Sequence, residues 1–173
     1  LVGVSEGWGV ADRIAASGVP VIASALNDLP ATFELLGATQ SNIGRMKDAG
    51  VKVSIGMIDD RDSHQLRYTT QYAGNLVSLQ KVPRATGLTW DEAFAAISSG
   101  PAEAMGMGDK LGSLKAGRVG DVVVWDGDPL ELSSAPVSVY IDGVEQPLSN
   151  RQNRLRDRYR TPQEGNLPKA YEH

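Results

Sequence analysis

Leu111–Leu130 reads LGSLKAGRVGDVVVWDGDPL, turn residues on either side of a β-branched run. Gly112, Gly117 and Gly120 tolerate backbone conformations that side-chained residues resist, so 113–120 is expected to form tight connections ahead of a strand over Asp121–Trp125. Asp126-Gly127-Asp128-Pro129 stops that strand, because Asp bonds nearby backbone donors and Pro has no N–H for a ladder. The pattern predicts a buried strand at 121–125, a second over Val137–Asp142, a turn at Gly143 and a short third strand over Val144–Leu148. Pro147 favours the sheet edge for the last of these. The whole is a small β-meander whose aspartates serve turns, and no catalysis is assigned to them.

Upstream, the period changes. Leu1–Val4 is a short apolar run, and Glu6–Ser17 follows with Trp8, Ala11, Ile14 and Ala15 near helical spacing and Gly18 as its stop. Val19–Ala23 reads as a strand covered on both faces. After a long loop through Asn27, Asp28 and Pro30, Thr39 or Ser41 caps a helix carrying Ile43 and Met46, and Gly50 closes it before a strand over Val51–Ile58. Such alternation with short connections predicts βαβ units and a parallel sheet. Thr89-Trp90-Asp91-Glu92 has the form of a capping box at the start of a helix, and Gly100-Pro101 is expected to end that helix and begin another through Ala104. Met105 and Met107 are packing residues in this reading. Arg151–Arg160 is a local basic cluster, read as a solvated terminal helix that docks by salt bridges, and the chain from Thr161 is expected to be loose.

Composition sets outer limits. The chain has 173 residues, 41% hydrophobic and 22% charged, which suits a globular domain with one core. A net charge of −4 offers no field for a polyanion, so nucleic-acid binding is not expected of the whole chain. The absence of cysteine excludes disulfides and thiolate chemistry while fitting either an oxidising or a reducing compartment. No apolar run approaches the ~20 residues that span a bilayer. Residue 1 is Leu, not Met, which raises the expectation of sequence upstream; cytoplasmic and exported forms stay equally open.

Parallel units place functional loops at the C-terminal ends of their strands. These ends are Ser5-Glu6, Ser24–Asp28 and the Asp59-Asp60 pair. Neighbouring carboxylates at a strand mouth shift each other's pKa and suit a metal ligand or a general base, and Asp equally suits a turn or a helix cap. Ser24, Asn27 and His64 are candidates for substrate contact. His64 and His173 are the only histidines, and no zinc site can be assembled from them by spacing.

Three stretches, Gly87–Phe94, Ser98–Gly106 and Gly112–Leu130, occur in an order that resembles the C-terminus of amidohydrolase-superfamily proteins, near the imidazolonepropionase-like branch. Residues 1–60 resemble the sixth to eighth β/α units of their barrel. The resemblance implies an α/β fold in which 1–108 is part of a (β/α)8 TIM-type barrel, 109–148 supplies strands of a small β-sandwich domain and 149–173 is a terminal helix and tail. It further implies one or two divalent metal ions, zinc first among them, and hydrolysis of an amide, ring C–N or related bond of a small molecule by activated water. The superfamily's aspartate after the eighth strand falls on Asp59 or on Asp60. Asp59 comes first because it is the first polar group after the strand, although the usual Gly-Thr-Asp or Gly-Ser-Asp reads Gly56-Met57-Ile58-Asp59 here.

The superfamily's His-x-His pair, its bridging Lys and its following His have no counterparts in the chain, and Glu6 stands near a position that often carries a further His. A complete barrel takes about 250 residues, so the barrel is expected to be incomplete. Its exposed edges then call for a missing N-terminal segment, a partner chain or self-association. One expectation is therefore the C-terminal part of a hydrolase, not competent alone. The other is a non-catalytic structural or binding module that keeps the β domain.

Overall fold

The computed structural model describes residues 1–26, 29–30, 32–58 and 64–160. Their order is α1 (Ala11–Ser17), β1 (Val21–Ala23), α2 (Asn42–Asp48), β2 (Val53–Ile55), α3 (Thr69–Ser78), α4 (Trp90–Ala95), α5 (Ser99–Ala104), β3 (Val122–Trp125), β4 (Pro136–Ile141), β5 (Val144–Gln146) and α6 (Arg151–Arg160). Short 3-10 turns at Gly7–Val10, Phe33–Leu35, Leu66–Tyr68 and Leu79–Lys81 complete the described helices.

The alternation read from sequence produces parallel pairing. β1 pairs with β2 in the register Val21↔Val53, Ile22↔Ser54, Ala23↔Ile55. Val2 forms a parallel bridge to Ile22 on the other side, with Gly3 N–H donating to Ile22 O at 3.0 Å and Ile22 N–H to Leu1 O at 2.8 Å. Three adjacent parallel segments thus run in chain order, each followed by a helix. The strands are shorter than expected: β1 covers three of the residues 19–23 and β2 three of 51–58. β2 is buried along its length, as required where helices cover both faces of a sheet. Among the described residues these strands do not close into a barrel.

The core lies around these strands. Ile14, Val21, Ala23, Ile43, Met46, Val53, Ile55, Leu76, Leu88 and Ala93 form one buried cluster, which Leu130 joins from the far end of the chain. α3 supplies Tyr72, Ala73 and Leu76 to the interior, although no helix was expected there. Its apolar positions do follow helical spacing, and Thr69, Thr70 and Gly74, weak helix formers, mask the signal. Gly74 lets the β3–β4 connection come close, since a Cβ there would meet Leu130 O.

Several cap expectations need correcting. Ser41 occupies the N-cap position of α2 without a side-chain cap bond. Its hydroxyl instead accepts from Thr86 N–H at 2.9 Å, while Thr39 Oγ1 accepts from Ser41 N–H at 3.2 Å. The Ser41 side chain is thus committed to a tertiary contact. α4 ends at Ala95 through a turn, so Gly100 lies inside α5 and does not terminate α4.

The capping box is present. Thr89 Oγ1 accepts from Glu92 N–H at 3.3 Å, and Glu92 Oε2 accepts from Thr89 N–H at 2.9 Å. That backbone donor holds the Glu92 carboxyl below its ordinary pKa, helped by the Thr89 hydroxyl and Lys47 and opposed by partial burial. A carboxyl whose pKa is lowered on folding contributes stability above its unfolded pKa and loses it as pH falls through the lower, folded one. Thr89→Ala is accordingly expected to cost about 1 kcal/mol near neutral pH. The stability that the Glu92 carboxylate adds should fade below the ordinary carboxylate range, as read by thermal unfolding of Glu92→Gln beside the parent across pH; a difference between the two that is equal at acid and neutral pH would contradict this.

The C-terminal strands form an antiparallel meander of order β3-β4-β5, with β5 at an edge as Pro147 suggested. Ile141 pairs with Val144 across a two-residue turn in which Asp142 and Gly143 both have positive φ, 51° and 75°, the conformation that a tight hairpin of this hand requires. The expected turn roles of the aspartates are visible: Asp121, Asp126 and Asp128 accept from the backbone N–H groups of Asp142, Ala135 and Leu130. β3 is not the buried strand expected. Val123 and Val124 are each 45% exposed, because the meander is a single sheet layer; it is tied to the helical body by Trp90 Nε1, which donates to Asp128 at 2.9 Å, and by Leu130 in the core. α6 does not dock by salt bridges either. Among the described residues its ion pair is internal, Arg156 to Asp157 at 2.9 Å, and its link to the body is Arg67 Nη1 to Gln152 Oε1 at 3.5 Å. No helix of the described residues is long and apolar enough to cross a membrane.

Candidate functional site at the strand ends

The three parallel segments end side by side at Val4, Ala23 and Ile55. Gly56 N–H donates to Ala23 O at 3.0 Å, which carries the pairing one residue past β2 and brings Ser24 and Gly56 to neighbouring strand mouths. Ser24 is buried, and its Oγ accepts from Leu26 N–H at 3.3 Å. Asn27, Asp59 and Asp60 lie outside the described residues. His64 is exposed, in the turn before Leu66–Tyr68, and those residues face Val123 and Trp125 across an apolar cleft of about 550 Å³.

The first strand end is built most tightly. Val4 has φ 54°, a left-handed conformation that a β-branched residue adopts only when its surroundings impose it. Asn42, the first residue of α2 and 1% exposed, imposes it. Its Nδ2 donates to Val4 O and its Oδ1 accepts from Trp8 N–H, both at 3.0 Å, while Gly7 N–H also donates to Val4 O at 3.1 Å. One buried amide thereby closes the Val4–Trp8 turn and aims Ser5 and Glu6 outward. The turn is then clasped to the loop that follows β1. The Glu6 carboxylate accepts from Gly37 N–H, Trp8 Nε1 donates to Gly37 O at 2.8 Å, and the Arg45 guanidinium lies 4.7 Å from the Trp8 ring centroid. Sequence reasoning named Glu6 but missed Asn42 and Gly37. Asn at a helix start reads as a cap, and nothing local reveals that its partners lie 34 and 38 residues upstream.

Among the described residues, no three His, Cys, Asp or Glu side chains stand together as a metal site. Glu6 is occupied by Gly37, and the meander's aspartates hold their own turns. These residues therefore do not make a metal site by themselves.

Known proteins match this arrangement. The amidohydrolase family model matches residues 9–153. The imidazolonepropionase of Bacillus velezensis is 32% identical over 127 residues, 73% of this chain and 27% of that protein. Amidohydrolase tasK of Hapsidospora irregularis is 50% identical over 60 residues, 35% of this chain and 6% of that protein. Among solved structures, an amidohydrolase from Thermotoga maritima superposes with a TM-score of 0.70 at 24% identity, covering 83% of this chain and 35% of its own. A zinc-bound adenosine deaminase from Xanthomonas campestris does so with a TM-score of 0.58 at 18% identity, over 83% and 36%. The structural likenesses speak for the fold, and the chain spans about a quarter of the imidazolonepropionase it matches. With the family model extending from the first helical turn into α6, this chain belongs to the amidohydrolase family.

Proposed function

We propose that this chain is the C-terminal portion of a metal-dependent amidohydrolase that hydrolyses an amide or a cyclic C–N bond of a small molecule. The observation that carries this reading is the set of parallel strands ending together at Val4, Ala23 and Ile55, followed in sequence by Asp59-Asp60, in a chain 32% identical to an imidazolonepropionase. That likeness favours an imidazolone or a related cyclic amide as the substrate class.

In this reading the carboxylate of Asp59, or of its neighbour Asp60, is a metal ligand and carries a proton. Its Oδ takes a proton from the attacking water as the C–O bond forms and delivers it to the nitrogen as the C–N bond breaks. A bound divalent ion, zinc by the resemblance, lowers the pKa of its water and polarises the scissile bond. The remaining ligands belong to an N-terminal segment or a partner chain, since the described residues do not assemble them. Ser24, Asn27 and His64 are proposed as substrate contacts.

Asp59→Asn and Asp60→Asn, introduced separately into the native polypeptide, test the assignment against a panel of cyclic amides, with metal per chain measured on the same samples. One variant is expected to lose about 10²- to 10⁴-fold in turnover together with bound metal, and the other to keep turnover within about tenfold. Retained turnover and metal in both variants would remove the roles given to these aspartates. A wild-type protein with neither metal nor hydrolysis would leave a non-catalytic binding module.

A further inference from the structure

The loop that leaves β1 carries apolar side chains that the fold does not bury. Phe33 and Leu36 are 87% and 67% exposed, and Leu26 and Leu29 are exposed as well. Phe33–Leu35 is a 3-10 turn, in which positions three apart lie above one another, so Phe33 and Leu36 share one apolar face. Clustered apolar surface of this kind marks a place where something binds. An open sheet edge does not account for it. β1 is the middle of the three parallel segments, flanked by the Val2 bridge on one side and by β2 on the other. Units that continue the sheet would join at its two outer segments, not at the strand from which this loop rises.

Position and charge identify what the face receives. Leu36 directly precedes Gly37, whose N–H donates to the Glu6 carboxylate and whose carbonyl accepts from Trp8 Nε1 at 2.8 Å. The apolar face is thereby anchored to the turn after the first strand, beside the strand mouths of the candidate site. Residues 24–40 include no Lys, Arg or His, and their two ionisable side chains, Asp28 and Glu34, are acidic. The loop therefore offers no partner to an anionic substituent and disfavours one by like charge. Loops at the C-terminal ends of parallel strands are where such folds contact their substrates. Resting on the hydrolase reading above, we propose that Phe33 and Leu36 are specificity-determining residues, which receive an uncharged, apolar substituent of the cyclic amide in preference to a carboxylate-bearing one.

The test uses the native polypeptide and three cyclic amides that share one imidazolone ring and differ in carrying an isobutyl, a benzyl or a carboxyethyl arm. Turnover is compared for the parent, for the double variant Phe33→Ala with Leu36→Ala, and for Phe33→Arg. Both positions are exposed, and circular dichroism checks that each variant is folded. The parent is expected to favour an apolar arm over the carboxyethyl arm by about tenfold or more in kcat/KM. The double variant should lose that preference through KM, with kcat little changed, and Phe33→Arg should shift it about tenfold towards the carboxyethyl arm. A parent that hydrolyses the ring but favours the carboxyethyl arm overturns the inference and leaves the hydrolase reading standing. Preference unchanged in both variants does the same, and if the variants instead dissociate a dimer, the face belongs to a second copy of the chain. Hydrolysis of none of the three overturns the inference together with the reading it rests on.

Discussion

Gly44→Ala is expected to destabilise the fold by about 3 kcal/mol, although Ala is the better helix former by about 1 kcal/mol. Gly44 lies in α2 where the chain at 86–87 crosses it. A Cβ there would stand 2.3 Å from Thr86 O and 2.8 Å from Gly87 O. Neither obstacle is a flexible side-chain tip, so the helix or the crossing segment must move. Movement is costly because Ile43 and Met46 on the same helix are 1% and 0% exposed, and Ser41 holds Thr86 by hydrogen bond. Gly9→Ala is the control, since a Cβ at Gly9 meets nothing within 4 Å; its change should stay within about 0.5 kcal/mol. Urea unfolding of both variants checks the pair. A Gly44→Ala protein as stable as the parent would mean that α2 does not pack as described.

Asn42→Ala should lose a similar amount, about 3 kcal/mol, for a different reason. The substitution strips Trp8 N–H of its acceptor and Val4 O of one of its donors, next to a residue already in a strained conformation. Hydrogen exchange separates this local effect from general loosening. The Trp8 amide should exchange at least about 100-fold faster in the variant, with the Ile55 amide, bonded to Ala96 O at 2.9 Å, much less affected. Unchanged protection at Trp8 would show that Asn42 does not hold the first strand end.

These two positions mark the limits of what the sequence discloses. The parallel order of Leu1–Val4, β1 and β2 was legible because helical spacing alternates with short apolar runs, and the Thr89–Glu92 box because its chemistry is complete within four residues. The meander was legible from turn chemistry, since Asp128 and Gly143 act within their own turns, whereas Asp126 reaches Ala135 across the β3–β4 connection. Burial of β3 was misread because a run of valines is apolar whether or not another layer covers it. α3 escaped notice behind Thr69, Thr70 and Gly74. Asn42 was illegible in principle, since its role depends on two backbone groups more than thirty residues away brought near only by parallel pairing. For the site, chemistry-bearing residues at strand ends could be enumerated, but of the metal and substrate-contact candidates Asp59, Asp60, Ser24, Asn27 and His64, only Ser24 is placed at a strand mouth within the described residues.

The proposed place of this chain in a metal-dependent hydrolase is tested most directly by the intact mass and metal content of this protein purified from its native source. It predicts a polypeptide or stable complex well above 18.4 kDa, carrying stoichiometric divalent metal. A chain of 18.4 kDa with no metal and no copurifying chain would contradict it and leave the binding module.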